Sequence, residues 1–169
     1  MHVILNKKIL VTKNVLSLPK IMIHPSVKIG KYCIIAESAM IGENTIIKDF
    51  SVIGKNVRIG KDCIIGRYCE IRDDCEVGDG TSFGSRCTLS AGTIIGDHCV
   101  IKYSFVATDT KDLTTPGKKT TCTIGDNVLI GACVVLMPGI NVGNFAIIGA
   151  MSQVRHDVAP DKIVYGNPC

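Results

Sequence analysis

Aliphatic residues recur in this chain at every sixth position. Stepping by six from Ile23 through Ile29, Ile35 and onward to Ile101 meets fourteen apolar residues without a miss. After one interruption the step resumes at Ile124 and runs through Ile130, Leu136, Val142, Ile148 and Val154. An internal repeat this regular takes precedence over any local pattern. A period of six cannot be an amphipathic helix with 3.6 residues per turn, and it suits short strands joined by tight corners. Three such units per coil predict a triangular prism in which side chains 18 residues apart lie over one another, at about the 4.8 Å spacing of paired strands. Ile29, Ile47, Ile65, Phe83 and Ile101 are then one internal ladder.

Neighbouring positions keep the same register. The residue after the aliphatic is glycine at twelve places, among them Gly30, Gly42, Gly54, Gly60 and Gly66, which suits unusual backbone dihedrals or a close approach. Two residues before each aliphatic stands a small or β-branched residue such as Val27, Cys33, Ala39, Thr45 or Ser51. Both the aliphatic and the small position are expected to face inward. Hydrophobic residues make up 46% of the chain but aromatics only 5%, so Ile, Val, Cys, Ala and Thr must fill the core, a composition that favours strands. Each buried aliphatic side chain contributes roughly 1.5–3 kcal/mol relative to exposure, and twenty ladder positions supply an ample core.

The 169 residues fit one domain. A net charge of +4, with Lys and Arg spread along the chain, gives little support to nucleic-acid binding. The opening MHVILNKKILVTK has a short apolar run broken by lysines and no cleavage pattern after it. No stretch reaches the roughly 18 apolar residues needed to cross a bilayer, so a cytoplasmic protein without membrane attachment is expected. Residues 1–20 precede the repeat and read as an arm over the first coil, since an open coil end needs a cap.

Seven of the nine cysteines, Cys33, Cys63, Cys69, Cys75, Cys87, Cys99 and Cys122, occupy the small inward position. Their spacing follows the coil, so they read as buried free thiols. Cys69 and Cys87 are expected to stack on adjacent coils with parallel side chains, unsuited to a bridge in a reducing compartment. There is no CxxC pair, and the four histidines are scattered singly, so no metal is expected.

The pattern of aliphatic, glycine, two variable residues and a small residue resembles the hexapeptide-repeat acyltransferase family. The likeness covers residues 21–168 and is strongest from Cys122 to Pro168, which resembles the end of sugar acetyltransferases. It implies an all-β fold, a left-handed parallel β-helix of about seven coils spanning 21–159, with one extruded loop at 108–121 and a tail at 160–169. The hand comes from the resemblance alone, because parallel crossovers are right-handed in about 98% of cases. A homotrimer is also implied, with substrate between two prisms.

Chemistry is expected at the single break in the repeat, because loops on rigid scaffolds carry function, although a polar insertion can also be inert. In sugar O-acetyltransferases of the family a histidine at the base of this loop is the general base, and Asp109 stands at the corresponding position here. A carboxylate is a weaker base than imidazole toward a hydroxyl, so Asp109 argues for an amine acceptor. The motif SFVATD, Ser104 to Asp109, resembles a stretch of nucleotide-linked amino-sugar N-acetyltransferases. The implied activity is acetyl-CoA-dependent N-acetylation of an amino sugar, with Asp109 and His98 as catalytic candidates. The resemblance puts acetyl-CoA near Gly131, Ala132, Gly149, Ala150, Arg155 and Pro168, and Lys118, Lys119 and Arg155 can meet phosphates or be solvated. His156, in the exit segment, reads as peripheral. The rival readings are an O-acetyltransferase using His98 and a non-catalytic scaffold.

Overall fold

The computed structural model describes residues 22–115, 117 and 119–169. The expected arm at 1–20 and Lys118 lie outside them. Among the described residues the chain forms 22 two-residue strands, from β1 (Met22–Ile23) to β22 (Ile163–Val164), and no helix. Strands pair in parallel with the third strand on: Ile29 lies beside Ile47, and Ile47 beside Ile65. Three flat faces result, with seven, eight and seven strands. Face 1 starts at β1, face 2 at β2 (Lys28–Ile29) and face 3 at β3 (Ile34–Ile35). The architecture is the expected left-handed parallel β-helix. Seven complete coils are followed by an irregular eighth, in which Val158 bridges Val142 on face 1 and β22 pairs with Ile147–Ile148 on face 2. The winding therefore continues past residue 159.

Alternation within each strand builds the core. The first residue faces out and the second faces in, as with Ile34 at 45% exposure and Ile35 at 2%. The small position is buried as well, and most of its cysteine, serine and threonine occupants make one hydrogen bond in common. Thr45 Oγ1 donates to Gly60 O at 2.8 Å, Ser51 Oγ to Gly66 O at 2.8 Å and Cys63 Sγ to Gly78 O at 3.1 Å. Cysteine, serine and threonine interchange here because each carries one short donor that reaches a carbonyl in the next coil, which satisfies a buried polar group. All seven inward cysteines are free. Burial pushes the Cys75 thiol up to about 11, so it stays protonated and unreactive.

The glycines after the aliphatic serve close approach. A Cβ added to Gly66 would fall against the carbonyl of Gly84 in the next coil. The left-handed dihedral sits two residues later and is mostly filled by other residues, such as Tyr32 (φ 58), Phe50 (φ 63) and Tyr68 (φ 57). Such a conformation costs about 1–3 kcal/mol. These three rings stack in succession, with centroids 5.2 and 4.9 Å apart, and aromatic pairs return about 0.5–1.5 kcal/mol each, so strain and stacking are of comparable size. Gly66→Ala is expected to destabilise the protein by about 1–3 kcal/mol through overpacking against backbone. Urea unfolding checks this, and an unchanged midpoint would remove close approach as the reason for glycine.

The repeat runs one step further than the aliphatic count. Ala107, in β15 (Val106–Ala107), continues the face 3 ladder and is fully buried. In the same coil the small position holds Phe105, the largest of the fully buried side chains. Bulk has been exchanged between the two inward positions, which keeps the filled volume near that of the other coils. Beyond Ala107 the corner is expanded. Ile95 pairs with Ile124 across 29 residues, where other neighbours such as Val77 and Ile95 are 18 apart, so 11 residues are inserted.

Candidate active site

The inserted loop leaves the prism at the corner between face 3 and face 1, and its neck is closed. Thr110 and Lys119 form an antiparallel bridge, and the Thr120 N–H donates to the Asp109 carbonyl at 2.8 Å. Thr108 Oγ1 donates to Leu136 O at 2.7 Å. The neck fits between two coils because of Gly92 and Gly139, with φ of 76° and 81°, where an added Cβ would meet the methyl groups of Thr121 and Thr120. These two glycines thus make room for the loop.

Asp109 is held at the base of this neck with 8% exposure. Oδ1 accepts from Thr110 Oγ1 at 2.9 Å. Oδ2 is the one buried side-chain nitrogen or oxygen among the described residues that has no hydrogen-bond partner. Lys119 Nζ faces it at 3.6 Å, which is beyond hydrogen-bond length but supplies an opposite charge. A buried carboxylate oxygen without a donor is a costly arrangement. Such groups are kept where a ligand or a reaction uses them.

Two clefts flank the neck along this corner. The lower one, about 190 Å³, is lined by Glu70, Arg72, Asp73, Ala91 and Lys119 among others. The upper one, about 520 Å³, is lined by Lys111, Met137, Pro138, Arg155, His156 and Asp157 among others. Asp157 accepts from the Asn141 N–H at 2.8 Å and from Asn141 Nδ2 at 3.2 Å, bonds that hold its carboxyl below the usual carboxylate range. Arg155 is oriented by Gln153, whose Oε1 accepts from Nε at 2.9 Å. The upper cleft therefore collects basic groups. His156 belongs to it, although in the sequence it reads as peripheral; tracing the 18-residue register along this corner would have found it. A larger hollow, about 940 Å³, lies on face 1 of the earlier coils, lined by Met40, Arg58, Glu76 and Ile94 among others. It is a shallow sheet surface without the loop.

The two catalytic candidates are not brought together within one chain. His98 lies at the corner between faces 1 and 2, exposed, with φ of 54° and its N–H donating to Asp79 O at 2.7 Å. Asp109 stands at a different corner. The six residues expected near acetyl-CoA border the upper part of face 3. Gly131 and Ala132 lie beneath Gly149 and Ala150 at one edge, where the Gly131 position has room for no Cβ beside Ala150. Arg155 is at the other edge. Pro168 lies in the tail between them, since the Cys169 N–H donates to Gln153 O and the Arg155 N–H to Cys169 O, both at 2.9 Å. Among the described residues no group of three or more His, Cys, Asp or Glu could hold a metal ion.

Coils of six-residue units, wound left-handed around stacked aliphatics and carrying a polar corner loop, define a hexapeptide-repeat protein. The chain belongs to the bacterial transferase hexapeptide family, whose six-repeat model matches residues 20–55, 38–73, 56–91 and 121–156. Galactoside O-acetyltransferase from Escherichia coli (strain K12) is 47% identical over 47 residues, covering 28% of this chain and 23% of that protein. Chloramphenicol acetyltransferase from Agrobacterium fabrum is 51% identical over 45 residues, covering 27% of this chain and 22% of that protein. The matched stretch thus spans under a quarter of these relatives' length. Among solved structures, the polysialic acid O-acetyltransferase OatWY superimposes with a TM-score of 0.66 at 18% identity, covering 85% of this chain and 79% of that one, a likeness of fold. The serine acetyltransferase of Neisseria gonorrhoeae gives 0.53 at 26% identity, covering 59% and 38%.

Proposed function

We propose that this protein is an acetyltransferase that moves acetyl from acetyl-CoA to an amine of a nucleotide-linked amino sugar. The observation that carries this reading is Asp109, a buried carboxylate at the loop neck with one oxygen free of hydrogen bonds. Family membership and the acetyltransferase names of the relatives support the group transferred. An amine arrives as an ammonium, which a carboxylate attracts and relieves of a proton, and the neutral amine is then nucleophilic without further help. The neck holds Asp109 in place, so little reorganisation accompanies binding. Gly131, Ala132, Gly149, Ala150, Arg155 and Pro168 are proposed to border the acetyl-CoA site, with Lys119 and Arg155 available to phosphates.

Assembly as a homotrimer is part of this reading. It is supported by a row of outward aliphatics on face 2, Leu129, Ile147 and Ile163, between 36% and 65% exposed, since apolar rows of this kind mark protein contacts. No helix among the described residues is long and apolar enough to cross a membrane. Cytoplasmic location is retained as part of the proposal.

The test is CoA-thiol release from acetyl-CoA with paired acceptors, amino sugars and their hydroxyl counterparts, free and nucleotide-linked. Amine acceptors are expected to be used at least tenfold better. Preference for hydroxyls would transfer the protein to the O-acetyltransferase reading, which the galactoside relative's name favours. No release and no CoA binding by calorimetry would leave a scaffold. His98→Ala tests the second candidate, which lies at another corner of the chain: full turnover would remove His98 from the chemistry, and a loss of tenfold or more would make it a base that reaches the site from a neighbouring prism.

A further inference from the structure

The partner that faces the free oxygen of Asp109 is itself a primary amine. Lys119 Nζ lies 3.6 Å from Asp109 Oδ2, and the two residues are fixed relative to each other by the Thr110–Lys119 bridge and by the Thr120 N–H on the Asp109 carbonyl. The lysine side chain is 49% exposed and lines the lower cleft beside Glu70, Arg72 and Asp73. Its head group therefore stands between a buried carboxylate and open solvent. This is the geometry asked of an acceptor ammonium by the function proposed above: opposite charge at contact range, no hydrogen bond locking it in place, and access from outside. No hydrogen bond closes the pair and the lysine side chain is half exposed, so Nζ is free to move toward a thioester carbonyl.

We propose that Lys119 is an internal acceptor, acetylated at Nζ by acetyl-CoA at the protein's own site. The inference rests on the acetyltransferase reading of that site. In the step, one ammonium proton leaves through Oδ2 to solvent and the neutral Nζ attacks the thioester carbonyl. The N–C bond forms as the C–S bond breaks, and the second proton goes to the CoA thiolate. The products are Nζ-acetyl-lysine, CoA thiol and one proton in solution. Acetylation removes the competing cation from Asp109 and leaves an amide N–H able to donate to Oδ2. It thereby changes the charge that an incoming amine acceptor meets.

The experiment is incubation of the full chain with isotopically labelled acetyl-CoA, followed by peptide mass mapping over time, with thiol release on amine acceptors measured in parallel. Lys119 is expected to acquire label at least tenfold faster than the exposed lysines Lys55 and Lys61. Asp109→Asn is expected to bring its rate down to theirs while leaving those two unchanged. Label at Lys119 no faster than at Lys55 and Lys61, or a rate indifferent to Asp109→Asn, overturns the inference. If that result comes with normal turnover of amine acceptors, internal acetylation falls and the proposed function stands. If turnover is absent as well, the function proposal falls with it.

Discussion

Asp109→Asn is expected to lower kcat/KM for an amino-sugar acceptor by about 100-fold or more, the usual worth of a positioned proton acceptor. The substitution keeps the shape of the side chain and the Thr110 contact at Oδ1, so folding should survive. Far-ultraviolet circular dichroism and the melting temperature serve as controls. Steady-state kinetics over a range of pH separate two origins of the loss. If Asp109 takes the proton, the deficit should shrink as pH rises and free amine becomes abundant. If Asp109 only attracts the ammonium, KM should rise while kcat at high pH stays near the parent value. An Asp109→Asn protein with unaltered kcat/KM would remove the residue from the chemistry, and with it the main argument for an amine acceptor.

Phe105→Ala is expected to cost about 3–5 kcal/mol, the range for truncating a buried aromatic ring. The ring is fully buried in the coil that carries the loop, in a column where other coils place Cys33, Ser51, Cys69 and Cys87. Stability in a coiled solenoid is a sum over neighbouring repeats, so the loss should appear first as increased hydrogen exchange around β15 and the loop neck. The exchange of bulk between Phe105 and Ala107 makes a sharper statement testable. Ala107→Leu alone is expected to destabilise by about 1–3 kcal/mol through overpacking. Combined with Phe105→Cys it restores the large-and-small arrangement of the other coils, so the double variant should recover much of the loss. A double-mutant cycle in urea unfolding measures that coupling, and strict additivity would count against the compensation.

Much of this molecule was readable before any coordinates. The step of six from Ile23 fixed coil, register and inward ladder, and the cysteines at the small position declared themselves structural by their spacing. Where that position is polar it needs only a short side chain with one donor, which is why cysteine, serine and threonine exchange there. The loop at 108–121 was visible as the place where the repeat fails. Ala107 carries no aliphatic signal of its own, because the coil balances bulk between two inward positions and here the bulk stands at Phe105. The glycines after the aliphatic allow two explanations, and the packing of successive coils favours close approach over an unusual φ.

The sequence by itself determined the β-helix, because a period of six with two inward positions can bury its apolar side chains in no helix and in no flat sheet. What the tertiary structure alone decided was which distant residues meet. It separated His98 from Asp109, since successive six-residue units turn through successive corners and nearness in sequence is not nearness around the prism. It also set Lys119 against Asp109 Oδ2 and gathered Lys111, Arg155 and His156 in one cleft. Those encounters depend on the path of an 11-residue insertion, whose local sequence has no period and whose course is fixed only by the coils it lies against.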